Sequence, residues 1–301
     1  MKHFILFLDR SSHLTLNDYA SLAGGAFILA FPIGGILGAK YGPRVPLYAA
    51  AALQFLNALI VIFLTPESNP HTNKAARNGI PRNQQAELDL SQDNPWGGLV
   101  RLFGKPGLLR TAAAVYFLAS LARTTLDAQF TNYSNIRFGW TQAQSGPILV
   151  MVGFMLAVAP RLLVPRLGLR KAILSGLWIY ALGLAGTGLA PSPGGFAASI
   201  FVVSIGTMCL PALTALLASL AKPQERGALL GAVGSLTELT GAIGSTMWAS
   251  VLAQYTSENA PLKGVPGMHF VMGAGLVVLS YFLAMQGFWN NQDHPAFQQK
   301  E

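Results

Sequence analysis

The sequence predicts an all-α protein, a polytopic membrane helix bundle. Three observations carry that reading. Only 11% of the 301 residues are charged while 52% are hydrophobic, and soluble domains run at about a quarter charged. Apolar stretches recur eight times, at 21–39, 45–64, 109–130, 145–164, 172–190, 196–220, 228–255 and 268–289, each near the roughly 20 residues that cross a hydrocarbon core. One long polar segment, 66–105, separates two of these stretches from the other six. The stretches far exceed the alternating strands of about 10 residues that build outer-membrane barrels, so helices alone satisfy their backbone in lipid.

In chain order, residues 1–8 join one lysine to a short apolar run that Asp9 and Arg10 end. That run is too short for a secretory leader, and no small-residue cleavage site follows. It reads as a cytoplasmic or interfacial segment. The first span carries Pro32, Gly34 and Gly35, which bend a helix and strip one face of side chains so that a neighbour can approach. Plain helix packing explains them as well as a hinge does. The second span completes an amino-terminal unit, 1–65. A polar, proline-punctuated linker follows at 66–108, with no apolar periodicity, and reads as solvated. Six spans then form a carboxy-terminal bundle, 109–290, before a short tail at 291–301.

Charge orients the chain. Fifteen of the 20 Lys and Arg residues fall on the side holding both termini, the linker and the loops after spans four and six. The other side carries Lys40, Arg44, Arg137 and Lys263, and Arg123 lies within a span. This asymmetry predicts cytoplasmic termini and a cytoplasmic linker. It accounts for the net charge of +8 as a topology signal, so nucleic acid is not an expected partner. The lipid bilayer is. The single cysteine, Cys209, has no partner for an intrachain disulfide.

Several runs together resemble the tetracycline-efflux type of the major facilitator superfamily. They begin with 42–53, reading GPRVPLYAAAAL, and Pro66-Glu67-Ser68. They continue with Arg137-Phe138-Gly139-Trp140 and Arg166-Leu167-Gly168-Leu169-Arg170-Lys171. Leu210-Pro211-Ala212-Leu213 follows, and then Gly231, Ser235-Leu236-Thr237, Leu239-Thr240 and Gly244. The resemblance covers nearly the whole chain in order. It implies a partial major facilitator fold, helices five to twelve of twelve. It also implies secondary transport or efflux of a small solute, with proton coupling of the antiporter type. The alternative is a truncated, transport-inactive membrane protein that acts through a second chain supplying the absent helices. Tyr180 stands where the tetracycline exporters carry an aspartate, which leaves the solute open.

Ionisable residues inside spans are costly and mark functional candidates. Arg123 and Asp127 stand four apart on one helix face, within pairing distance. They are either a charge pair lining a solute cavity, with Asp127 available for protonation, or a snorkelling arginine beside a wet aspartate. Gln129, Asn132 and Tyr133 extend that polar end. Glu238 lies well inside the seventh span between Thr237 and Leu239. It reads as a coupling or solute-binding carboxylate, or as a structural one bonded to a neighbouring helix. The turn Arg166, Gly168, Arg170 and Lys171 anchors topology or, as the resemblance implies, acts as a gating latch. Pro160 and Pro165 bracket it and are expected to limit helix continuation. Pro211, Gly231 and Gly244 make the sixth and seventh spans bendable and closely packable. The five histidines show no ligand spacing, and neither a phosphate-binding loop nor a nucleophile elbow occurs. No metal, cofactor or enzymatic activity is expected.

Overall fold

The computed structural model describes residues 44–64, 95–104, 107–221, 226–258, 260–261, 264–292 and 294–297, with single positions at 26, 30, 33, 34, 37, 38 and 40–42. Pro32, Gly35 and most of the first expected span lie outside the described residues, as does 66–94. The described chain is helical throughout. Its elements are α1 (Arg44–Leu64), α2 (Pro95–Gly104), α3 (Leu108–Phe138), α4 (Gln142–Leu167), α5 (Leu169–Leu189), α6 (Pro193–Gly206), α7 (Cys209–Leu220), α8 (Arg226–Thr256) and α9 (Met268–Trp289), followed by a 3₁₀ turn at Pro295–Phe297.

Local chemistry sets the ends of these helices. Gly139 adopts a left-handed conformation (φ 67°) and closes α3, its N–H and that of Trp140 returning to the carbonyls of Asn135 and Ser134. The Thr141 N–H donates to the Gln144 side chain at 3.0 Å to open α4. Gly168, at φ 74°, both ends α4 and starts α5, so the reversal takes one residue that carries no Cβ penalty. Ser192 accepts from the Gly195 N–H at 3.2 Å, with Pro193 opening α6.

Six of the described helices are long and apolar enough to cross a membrane, counting α6 and α7 as one span: α1, α4, α5, α6–α7, α8 and α9. α3 is longer than a span needs, at 31 residues, but Arg123, Asp127 and a run of Thr, Asn and Gln dilute its apolarity. Its position explains this. It runs through the bundle centre against α8 and α9, so few of its side chains need to face lipid.

Three features depart from the expectations. Residues 95–104 form α2 rather than solvated coil: Leu99, Leu102 and Phe103 make an apolar edge at helical spacing, Leu102 is fully buried, and α2 packs on α8 and α3. α4 runs uninterrupted through Pro147, Pro160 and Pro165, because each proline removes one backbone donor while neighbouring turns hold the rest. The sixth span is divided at Thr207–Met208. Pro211 offers no N–H to the Thr207 carbonyl, and the Leu210 N–H takes that acceptor at 3.1 Å in a tighter turn.

The core lies where α5 meets α6, α7 and α9, and where α3 meets α8 and α9. Backbones touch at Gly188 of α5 and Gly267 before α9, and Gly287 of α9 lies against the Thr111 side chain of α3. None of the apolar window of α1 is buried.

Candidate functional site

A cavity of about 300 Å³ lies between α3, α4 and α6. Arg123, Leu126, Asp127, Phe130 and Thr131 line it from α3, recurring every three or four residues as one helix face requires. Leu149, Val152 and Leu156 line it from α4, and Ile200, Val203, Ser204 and Thr207 from α6 and its break. Within it the Arg123 Nε donates to an Asp127 carboxylate oxygen at 3.0 Å. Both groups reach the open side, their side chains being 37% and 58% exposed. Arg123 forms no other hydrogen bond among the described residues, which leaves its Nη donors without a protein partner there.

Two of the three lining hydroxyls are turned inward to their own helix. Ser204 donates to the Ile200 carbonyl at 2.7 Å and Thr207 to the Ser204 carbonyl at 2.8 Å. Behind the α6 break sits Tyr180 of α5, fully buried and pressed against Gly206. Its hydroxyl has no partner among the described residues and lies within the field of Arg123 and Asp127.

The other candidates are placed elsewhere. Gln129 is buried and faces α8, its amide donating to the Ser245 carbonyl at 3.5 Å. Glu238 is exposed on the open face of α8 and makes no side-chain hydrogen bond among the described residues. Its neighbour Thr237 bonds the Tyr116 hydroxyl at 3.0 Å, and Thr240 donates to the Thr237 carbonyl. Gly34 and Gly231 have no neighbouring atom within 4 Å of a built Cβ, whereas Gly244 is pressed onto Thr124 of α3. Arg166 and Lys171 are exposed and Arg170 half-buried around Gly168.

Two features escape sequence reading. Trp248 of α8 is buried and donates its indole N–H towards the Leu121 carbonyl (2.9 Å) and the Thr124 hydroxyl (3.0 Å) of α3. At the far end of α3, Phe196 sits among Phe130, Tyr133, Phe138 and Trp140 with ring centroids 5.3–5.9 Å away. Tyr133 therefore belongs to an aromatic cluster rather than to a polar end. His269 completes the cluster 5.3 Å from Tyr133, fully buried, with neither ring nitrogen partnered among the described residues. These residues lie on four segments far apart in sequence, and only the fold brings them together.

Fold and site define a class: a polytopic α-helical membrane protein with a charge pair facing a solute-sized cavity between its helices. The comparisons then narrow it. Residues 19–167 match the model of the Major Facilitator Superfamily. The chain is 24% identical over 289 residues to human hippocampus abundant transcript-like protein 1, covering 90% of this chain and 56% of that protein. It is 27% identical over 288 residues to the class C tetracycline resistance protein of Escherichia coli, covering 94% and 67%. To the class G protein of Vibrio anguillarum it is 28% identical over 232 residues, covering 75% and 55%. The chain thus spans a little over half the length of the first of these relatives. Over residues 19–167 it resembles the major facilitator superfamily.

Proposed function

We propose that this chain serves secondary transport of a small solute across the membrane, with the α3–α4–α6 cavity as the solute site. The observation that carries the reading is the Arg123–Asp127 pair inside that cavity. A charge pair held within a span and open to a cavity is what a solute or proton pathway needs. Efflux driven by proton coupling is the mode that the resemblance to the tetracycline-efflux type favours, and two relatives are named tetracycline resistance proteins. Asp127 in the cavity and Glu238 on the open face of α8 are the carboxylates able to carry it. Alternating access would rock helices about this midplane site.

The basic-residue asymmetry supports cytoplasmic termini, a cytoplasmic linker and a cytoplasmic Arg166–Lys171 turn. There the cations face anionic headgroups or latch the helix ends. A second reading is supported by α1, whose apolar window is nowhere buried. In that reading the chain is inactive alone and transports only when further helices, from a second chain, complete the assembly.

Reconstitution of the competent assembly in vesicles, with and without an imposed pH gradient, tests both readings. Gradient-driven solute flux is expected. Flux unchanged by collapsing the gradient rules out proton coupling, and flux that appears only with a partner chain selects the second reading.

A further inference from the structure

Resting on the transport reading, we propose that the cavity takes a small amphipathic carboxylic acid, Arg123 holding the carboxylate and Asp127 receiving its proton. The donor arrangement sets the charge of the ligand. Asp127 occupies only Nε of Arg123, so the Nη edge of this cavity-lining guanidinium is left without a protein partner among the described residues, and that planar fork matches a carboxylate bidentately. Ser204 and Thr207 commit their protons to their own helix. The Thr131 hydroxyl on the α3 wall makes no hydrogen bond among the described residues and is a further donor, and the buried Tyr180 hydroxyl behind the α6 break is also unpartnered. Seven of the twelve lining residues are apolar, so the rest of the ligand is hydrocarbon. The volume of about 300 Å³ is at the small end of ligand pockets.

Charge balance supplies the coupling. Arg123 and Asp127 together are neutral. A bare carboxylate added beside them leaves one uncompensated charge among apolar walls, which is disfavoured. Entry as the acid avoids this. The acid O–H bond breaks, an O–H bond forms on Asp127, and the new carboxylate replaces Asp127 on Arg123, which stays protonated. One proton then moves with each anion. Among the described residues no other charged group interferes: the α4 wall is apolar, α6 offers the two hydroxyls, and the remaining titratable neighbours of Arg123 are Tyr116, Tyr180 and Cys209.

The test is equilibrium binding of radiolabelled benzoate to the purified full chain in nanodiscs, against the amide benzamide and the cation benzylamine. Benzoate is expected to bind in preference to both, and its apparent affinity to fall about tenfold per pH unit where one proton accompanies the anion. Arg123→Gln should abolish binding. Arg123→Lys, which keeps the charge without the fork, should weaken it at least tenfold, so a folding defect in one variant does not end the test. Asp127→Asn mimics the protonated carboxyl and should retain benzoate while losing the pH dependence. Preference for benzylamine, absence of benzoate binding by the folded chain at millimolar concentration, or loss of binding in Asp127→Asn overturns the proposal. Benzoate binding without flux removes the transport reading and leaves this one standing. Benzylamine flux does the reverse.

Discussion

The α5–α6 seam and the α3–α8 seam join neighbouring helices by opposite means. Between α5 and α6 the backbones themselves meet: a Cβ on Gly183 would stand 2.6 Å from the Val203 nitrogen, and one on Gly206 would press on Tyr180. Between α3 and α8, apart from Gly244 against the Thr124 side chain, the contact is made of bonds from side chains: Tyr116 to Thr237, Trp248 to Leu121 and Thr124, and Gln129 to Ser245. The outward glycines of α8, Gly227, Gly231, Gly234 and Gly241, touch nothing within 4 Å. Lipid offers no hydrophobic drive to either seam, so one rests on van der Waals fit and the other on exchangeable polar contacts. The same residue type therefore has opposite consequences on the two sides of the bundle.

The largest effect should come from that contrast in glycine. Gly183→Ala forces backbone separation and is expected to cost about 2–3 kcal/mol. Gly234→Ala meets open space and should gain up to about 1 kcal/mol from helix propensity. Unfolding titrations in mild detergent read both signs, and equal effects would erase the distinction. Trp248→Phe keeps the ring and removes the indole N–H. It should cost about 1–2 kcal/mol, since the Leu121 carbonyl still accepts from Thr124 at 2.7 Å.

Tyr116→Phe should cost less, about 0.5–1 kcal/mol. Thr237 already donates to the Val233 carbonyl, so Tyr116 is the donor across the seam and its loss strands no buried proton. Glu238→Ala should move stability by less than about 0.5 kcal/mol, because the side chain is exposed and makes no hydrogen bond among the described residues. Its functional counterpart is Glu238→Gln in the transport-competent assembly. Loss of gradient-driven flux assigns a coupling role to Glu238, whereas normal flux leaves that role to Asp127.

Hydropathy located the helices because a span must be long and apolar, and the expected boundaries of α5 and α9 fall within a few residues of those observed. The expected end of α3 at 130 stopped short of Phe138, since Thr131 to Arg137 form a polar run whose helical state is set by Gly139 and by burial of Tyr133 and Ser134. Pro211 signalled a disturbance of the sixth span, but the break falls on Thr207, where the missing donor is felt. α2 was hidden by its short length inside a polar segment. At the site, the i,i+4 spacing of Arg123 and Asp127 was legible. The cavity wall was not: its α4 and α6 residues are ordinary apolar side chains whose meaning depends on which helices face each other. Glu238 and Gln129 stood out by residue type, yet helix rotation carries both away from that cavity.

The indole of Trp248 also makes the α3–α8 seam optically readable. It is buried and hydrogen-bonded, whereas Trp178 and Trp289 are 46% and 67% exposed on the outer surface. Brominated acyl chains should quench those two and spare Trp248. With Trp178 and Trp289 replaced by Phe, fluorescence that brominated lipid cannot reach includes the Trp248 contribution, and loss of that signal in a further Trp248→Phe variant identifies it. A red shift of this component in the assembled protein would then report water entering between the two helices.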